Sequence, residues 1–274
     1  MSKKSKNDGW KIVGKSLLFL VKTPYYIGKG IYYAGKGVYR AGKYVGKKNK
    51  ERKINQKRES IVPCYEEFKI IKPEIGTYFD WEKSIHDSDS KIGIILGARG
   101  SGKSAFGIKF LENLRAKKNK KCYAMGFKAD EMPNWIKTIE NIKELENNTF
   151  VLIDEGGILF SSRNAMSNAN KLLTELILIA RHKNLSILFI TQNSSNLDVN
   201  ILRQADFLVL KPSSLLQKDF ERKIIQKIYE KINENFEELK EIKGLTYIYS
   251  SGFSGFISNP LPSFWGTRLS KSFG

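Results

Sequence analysis

The sequence predicts an α/β fold, a mostly parallel β-sheet flanked by helices on both faces, and three observations carry that expectation. A short apolar run, "IGIIL", leads straight into the glycine-rich loop "GARGSGKS" and then into a stretch with helical spacing. Two more apolar runs, "FVLI" and "LSILFI", recur downstream, and each ends in polar residues. Segments of helical period separate them, and strands that alternate with helices build a parallel sheet covered on both sides. The chain of 274 residues is 41% hydrophobic and 27% charged, enough apolar material for a packed core.

The chain opens on a basic tail. Net charge is +19, and residues 1–58 account for +15 of it, with fourteen Lys and three Arg against Asp8 and Glu51. Such a balance points to anionic partners. Val13, Leu17, Leu20, Ile27, Ile31, Ala34, Val38, Ala41 and Val45 follow steps of three and four, an a/d stripe interrupted at Pro24. Lys15, Lys22, Lys29, Lys36 and Lys43 keep the same seven-residue period, as do Tyr25, Tyr32 and Tyr39, and glycines precede most of the lysines. An interior Gly costs a helix about 1 kcal/mol against Ala, so this segment is expected to order on a partner. An anionic membrane surface, the phosphates of DNA and a particle-shell protein all fit, as does a solubilising polycation. The run "SLLFLV" falls short of the ~20 apolar residues a bilayer requires, and no small-residue cleavage site follows it, so neither signal peptide nor transmembrane helix is expected. No catalytic constellation lies in the tail, and residues 1–58 read as a handle on a domain spanning 59–274.

Cys64, Cys122, His86 and His182 stand at no metal-ligand spacing. The expectation is a buried, reduced pair of thiols in a cytosolic compartment.

The chemistry begins with Gly97, Ala98, Arg99, Gly100, Ser101, Gly102, Lys103 and Ser104, which complete G-x-x-x-x-G-K-S between a strand and a helix, with Ala105 following. Backbone N–H groups and the helix N-terminus of such a loop surround phosphates; Lys103 reaches the β- and γ-phosphates of ATP, and Ser104 ligates Mg²⁺. Helical spacing continues through Phe106, Phe110 and Leu114. Next comes "KKCYAMGF", a further strand, and then the acidic strand Phe150 to Ile153, ending in Asp154 and Glu155. Asp154 suits the outer shell of Mg²⁺, and Glu155 is placed to polarise an attacking water, a pairing that points to an ATPase. An amphipathic helix, "KLLTELILIARHKN", precedes a third strand that ends in Thr191 and Gln192, where the amide can sense the γ-phosphate or hold the water. A short helix, a strand over Phe207 to Leu210, one long charged helical stretch from Ser213 to Glu241, and a hairpin turning at Ser251–Gly252 complete the order.

Carried by "GARGSGKS", "FVLIDEGG", "ARHKNLSILFITQN" and the ending "NPLPSFWGTRLSKSFG", the chain resembles the FtsK–HerA superfamily of P-loop ATPases over residues 90–274. Within it, the resemblance is to viral genome-packaging ATPases and to the zonula occludens toxin-like assembly ATPases of filamentous phages. It implies a RecA/ASCE-like sheet in which the glutamine strand lies between the phosphate-loop and acidic strands. It also implies a ring, usually a hexamer, around double-stranded DNA, with an arginine in trans; Arg163, Arg181 and Arg203 are the candidates. Unlike cellular members, the chain has no large amino-terminal barrel and no terminal winged helix; unlike the filamentous-phage proteins, it has no hydrophobic span after the motor. The expected function is an ATP-driven translocase of double-stranded DNA that fills a virus particle, in the host cytoplasm, on the virion, or peripheral to a membrane through the tail. A phage assembly or export ATPase, a plasmid-borne or cellular pump, and a non-hydrolysing scaffold are the alternatives.

Overall fold

Large apolar side chains alternate along the central strands, and each strand thereby feeds two cores. The computed structural model describes residues 43–88, 90–155 and 165–266. The chain divides between Gln56 and Lys57. Residues 43–59 are helical (α1), with Tyr44 and Val45 exposed. The heptad positions from 13 to 41 lie outside the described residues.

The second unit contains β1 (Lys69–Gly76), α2 (Tyr78–Asp87), β2 (Ile92–Leu96), α3 (Lys103–Lys118), β3 (Lys121–Met125), β4 (Ile136–Ile139) and β5 (Thr149–Asp154). There follow α4 (Ala165–Lys183), β6 (Ser186–Ile190), α5 (Val199–Gln204), β7 (Phe207–Leu210), α6 (Leu215–Phe220), α7 (Lys223–Glu238), β8 (Leu245–Ser250) and β9 (Phe253–Ser258). The strands form one sheet in the order β1-β9-β8-β7-β2-β6-β5-β3-β4. From β7 to β4 every pairing is parallel; β8, β9 and β1 extend the sheet antiparallel. The glutamine strand β6 lies between β2 and β5, the order the resemblance implies.

Ile94, Val151, Ile153, Ile187 and Phe189 face one core with α4 and α7, while Ile95, Phe150, Leu152, Leu188 and Ile190 face the other with α2 and α3. This period-two alternation is what a sheet covered on both faces requires. Helix α3 is buried along most of its length. The buried Lys109 pairs with the buried Glu112 at 2.9 Å, and Glu112 also accepts from the Cys64 and Ser263 backbone N–H groups, so segments from both ends of the domain clasp this helix.

Several expectations need correction. The stretch from Ser213 to Glu241 is two helices, because Glu221 and Arg222 turn inward: Glu221 accepts from Ser194 N–H at 2.6 Å and Arg222 Nε donates to Ser194 O at 3.0 Å. Ile225, Ile228, Tyr229, Ile232 and Phe236 give α7 a buried face, and its charged residues lie exposed on the other. Cys64 is exposed; only Cys122 is buried, where burial pushes its thiol up to about 12 and leaves it unreactive. Strands β1 and β4 and helix α2 went unforeseen. β1 reads "KIIKPEIG", and its proline and lysines hide a strand signal; α2 starts at Thr77, whose hydroxyl accepts from Asp80 N–H, and buries Trp81 and Ile85. Among the described residues no helix is long and apolar enough to cross a membrane.

The hairpin β8–β9 is fixed at its base by Gly244, whose φ is +73° and whose Cβ, if present, would stand 2.1 Å from Asn259 O. Gly244→Ala should therefore lower unfolding stability by about 2–4 kcal/mol, read from denaturant melts; a loss under about 0.5 kcal/mol would show that the hairpin base is not tightly held.

Candidate active site

Strand β2 ends at Leu96, and the chain turns through Gly97–Gly102 into α3. Gly97 has φ +148°, and a Cβ there would lie 2.5 Å from the Lys211 Cβ, so the loop passes directly over the end of β7. Gly102, at φ +89°, caps α3 without a side chain, which leaves the helix's first N–H groups open to an anion. Ala98 N–H donates to Pro212 O at 3.0 Å and anchors the outer wall of the loop. Arg99 and Gly100 are exposed at its tip, Ala105 is buried in the first turn of α3, and Ser101 Oγ is buried with no hydrogen-bond partner among the described residues.

Lys103 Nζ donates to Gly97 O and Ala98 O, both at 2.8 Å. Burial lowers its pKa to about 8, against the opposing pull of Asp154, Glu155 and Glu221. Ser104 Oγ donates to Asp154 Oδ2 at 3.1 Å, so a hydroxyl and a carboxylate from α3 and β5 converge. These are hard oxygen ligands of the kind Mg²⁺ takes with phosphate oxygens and water, and the pair fits that ion.

Parallel register brings the acidic strand level with the loop. Asp154 pairs with Ile190, Ile190 pairs with Ile95, and Thr191 N–H donates to Ile95 O at 3.0 Å. Glu155 is 4% exposed, and burial raises its pKa, opposed by hydrogen bonds from the Thr191 hydroxyl, the Asn196 side chain and the Gln192 backbone. A carboxylate so held is a better base than one in water. Gln192 is exposed; its main-chain carbonyl accepts from Gln217 Nε2, and its backbone, not its side-chain amide, reaches Glu155. Arg181, in the last turn of α4, and Arg203, at the end of α5, are both exposed, and Arg163 lies outside the described residues.

Four residues of this neighbourhood take roles that the sequence did not show. Thr191 and Asn196 hold Glu155, and Glu221 ties the Ser194 loop to α7. The fourth is Lys211, 1% exposed, whose Nζ donates to Asn259 Oδ1 at 2.7 Å, Gly244 O at 3.2 Å and Leu245 O at 3.3 Å. A lysine following "FLVL" looks like any surface lysine until the hairpin folds over it.

Residues 127–209 match the family model described as zonular occludens toxin. No curated protein gives a significant match. Among solved structures, the DNA-packaging ATPase of Sulfolobus turreted icosahedral virus is 18% identical over 64% of this chain and 99% of that one, with a TM-score of 0.40. The N-terminal domain of zonular occludens toxin from Neisseria meningitidis is 18% identical over 44% of this chain and 76% of that one, with a TM-score of 0.30. A KaiC-like protein from Pyrococcus horikoshii is 10% identical over 71% of this chain and 100% of that one, with a TM-score of 0.43.

Burial lowers Lys211 from 10.5 to about 7. Between those two values the unfolded chain holds a proton that the folded one lacks, so Lys211 makes stability rise with pH through that window, and its burial cost is complete below it. Lys211→Met should flatten the rise between about pH 7 and 10 by up to ~1.4 kcal/mol per pH unit. Parallel melts of the two proteins across pH check this, and superimposable slopes would place the ammonium in water.

Proposed function

We propose that the protein is an ATP hydrolase that drives movement of double-stranded DNA, working as a ring in filling a virus particle. The observation that carries the hydrolase reading is the convergence of Lys103, Ser104, Asp154 and Glu155 at the level ends of β2 and β5. Bound ATP would lie along the loop, with Lys103 released from the Gly97 and Ala98 carbonyls to the phosphates, and Ser104 and Asp154 would hold Mg²⁺. Glu155 would take the proton of the attacking water, oriented by Thr191 and Asn196, and in-line attack on the terminal phosphorus would expel ADP.

DNA as substrate, the ring and the particle are supported by the motif series that resembles packaging ATPases. The match of residues 127–209 to the zonular occludens toxin model favours a second reading, an assembly or export ATPase of phage type. Linear duplex DNA separates them: a packaging motor hydrolyses faster on it, whereas an extruder demands a membrane partner. Residues 1–58 serve as the handle, holding the motor to a shell protein or an anionic membrane. The protein without them should keep basal hydrolysis, and loss of DNA stimulation on truncation would make the tail a DNA grip instead.

Glu155→Gln should bind ATP with Mg²⁺ about as tightly as the wild type while turning over at least about a hundredfold slower, and Lys103→Ala should lose both. Near-normal turnover by Glu155→Gln in a phosphate-release assay would remove Glu155 as the base.

The ring has its own test. Arg203→Ala or Arg181→Ala subunits mixed with Lys103→Ala subunits should regain hydrolysis, because some interfaces then join an intact loop to an intact arginine. Mixed rings that assemble yet stay inactive at every ratio would exclude that arginine from acting in trans.

A further inference from the structure

The order of the sheet gives a bound triphosphate a direction. Asp154 and Glu155, suited to its terminal phosphate, lie at the end of β5, two strands to one side of β2. On the opposite side, at the ends of β7 and β8, a cavity of about 260 Å³ opens against the loop residue Ser101. Pro212, Phe236, Ile242 and Leu245 form its apolar walls. Phe236 is held edge-on to Phe256, with ring centroids 5.1 Å apart. The cavity is smaller than the ~300–1,000 Å³ of sites that enclose drug-sized molecules, and suits a single planar ring system.

Asn233 lines the same cavity; its amide is half-buried and makes no hydrogen bond to another described residue. A carboxamide presents one donor and one acceptor side by side. Adenine answers with the N6 amino group and N7, whereas the corresponding edge of guanine offers two acceptors, O6 and N7.

We propose that this cavity receives the base of the nucleotide and that Asn233 selects adenine, a proposal that rests on the phosphate-loop reading above. The phosphates lie on the loop, the nucleoside passes Ser101, and the base enters between Pro212 and Phe236. Ser213 stands half-buried at the mouth, where a large side chain would fill the space without disturbing the core.

The test is calorimetric titration of the full-length chain, with Mg²⁺, by non-hydrolysable adenosine and guanosine triphosphates and by tripolyphosphate. The adenosine compound should bind at least about tenfold tighter than either of the others. Ser213→Trp should bring it down to the level of tripolyphosphate while leaving tripolyphosphate affinity within about twofold. Asn233→Leu should shrink the adenosine-over-guanosine preference to within about twofold, at an unchanged unfolding temperature. Tripolyphosphate binding with no gain from a base, or variants that keep the wild-type preferences, would overturn the base site alone. Failure of all three ligands, tripolyphosphate included, would overturn the phosphate-loop reading and this proposal together.

Discussion

Lys211 leaves the end of β7 beneath the phosphate loop, and its ammonium meets three neutral oxygens, two from the start of β8 and one from Asn259 beyond β9. Its backbone N–H donates to Leu96 O, the last residue of β2, and its carbonyl accepts from the Tyr229 hydroxyl of α7. One residue thus joins the loop strand, the hairpin and the covering helix. A charged group buried among neutral oxygens is costly, and the three hydrogen bonds offset only part of that cost. The loop geometry depends on it, because Gly97 packs on the Lys211 Cβ and Ala98 is bonded to the next carbonyl.

That arrangement explains what the sequence could and could not disclose about the fold. Runs such as "IGIIL" and "FVLI" are buried on both faces and carry no surface residues to blur them, so β2, β5 and β6 stand out by composition alone. The edges are different. β1 is exposed along nearly its whole length and β4 lies at the far edge, so their residues satisfy solvent as much as sheet, and no apolar run marks them. The break between α6 and α7 was illegible for another reason: Glu221 is inward only because Ser194, 27 residues earlier, offers it two donors.

The site divides in the same way. Lys103, Ser104, Asp154 and Glu155 could be located from sequence because the loop forces its own local geometry, and because the acidic pair sits at the end of an unmistakable strand. Thr191 was visible as a strand end, but its contact with Glu155 belongs to the register of β5 against β6, a relation between residues 36 apart in the chain. Asn196 and Lys211 depend on longer folding paths still. Side chains that hold other side chains leave no periodic trace.

The two edges of the sheet have a consequence for self-association. β1 carries Lys69, Lys72 and Pro73 and two irregularities in its pairing with β9, while β4 is four residues long with Lys137 within it. Lysines, a proline, irregular register and brevity all discourage another chain from adding a strand. Among the described residues the nine-stranded sheet thereby presents no smooth template for edge-to-edge growth. Copies that meet at high local concentration are left to meet through helices and loops, contacts that can form and release without recruiting the sheet into an aggregate.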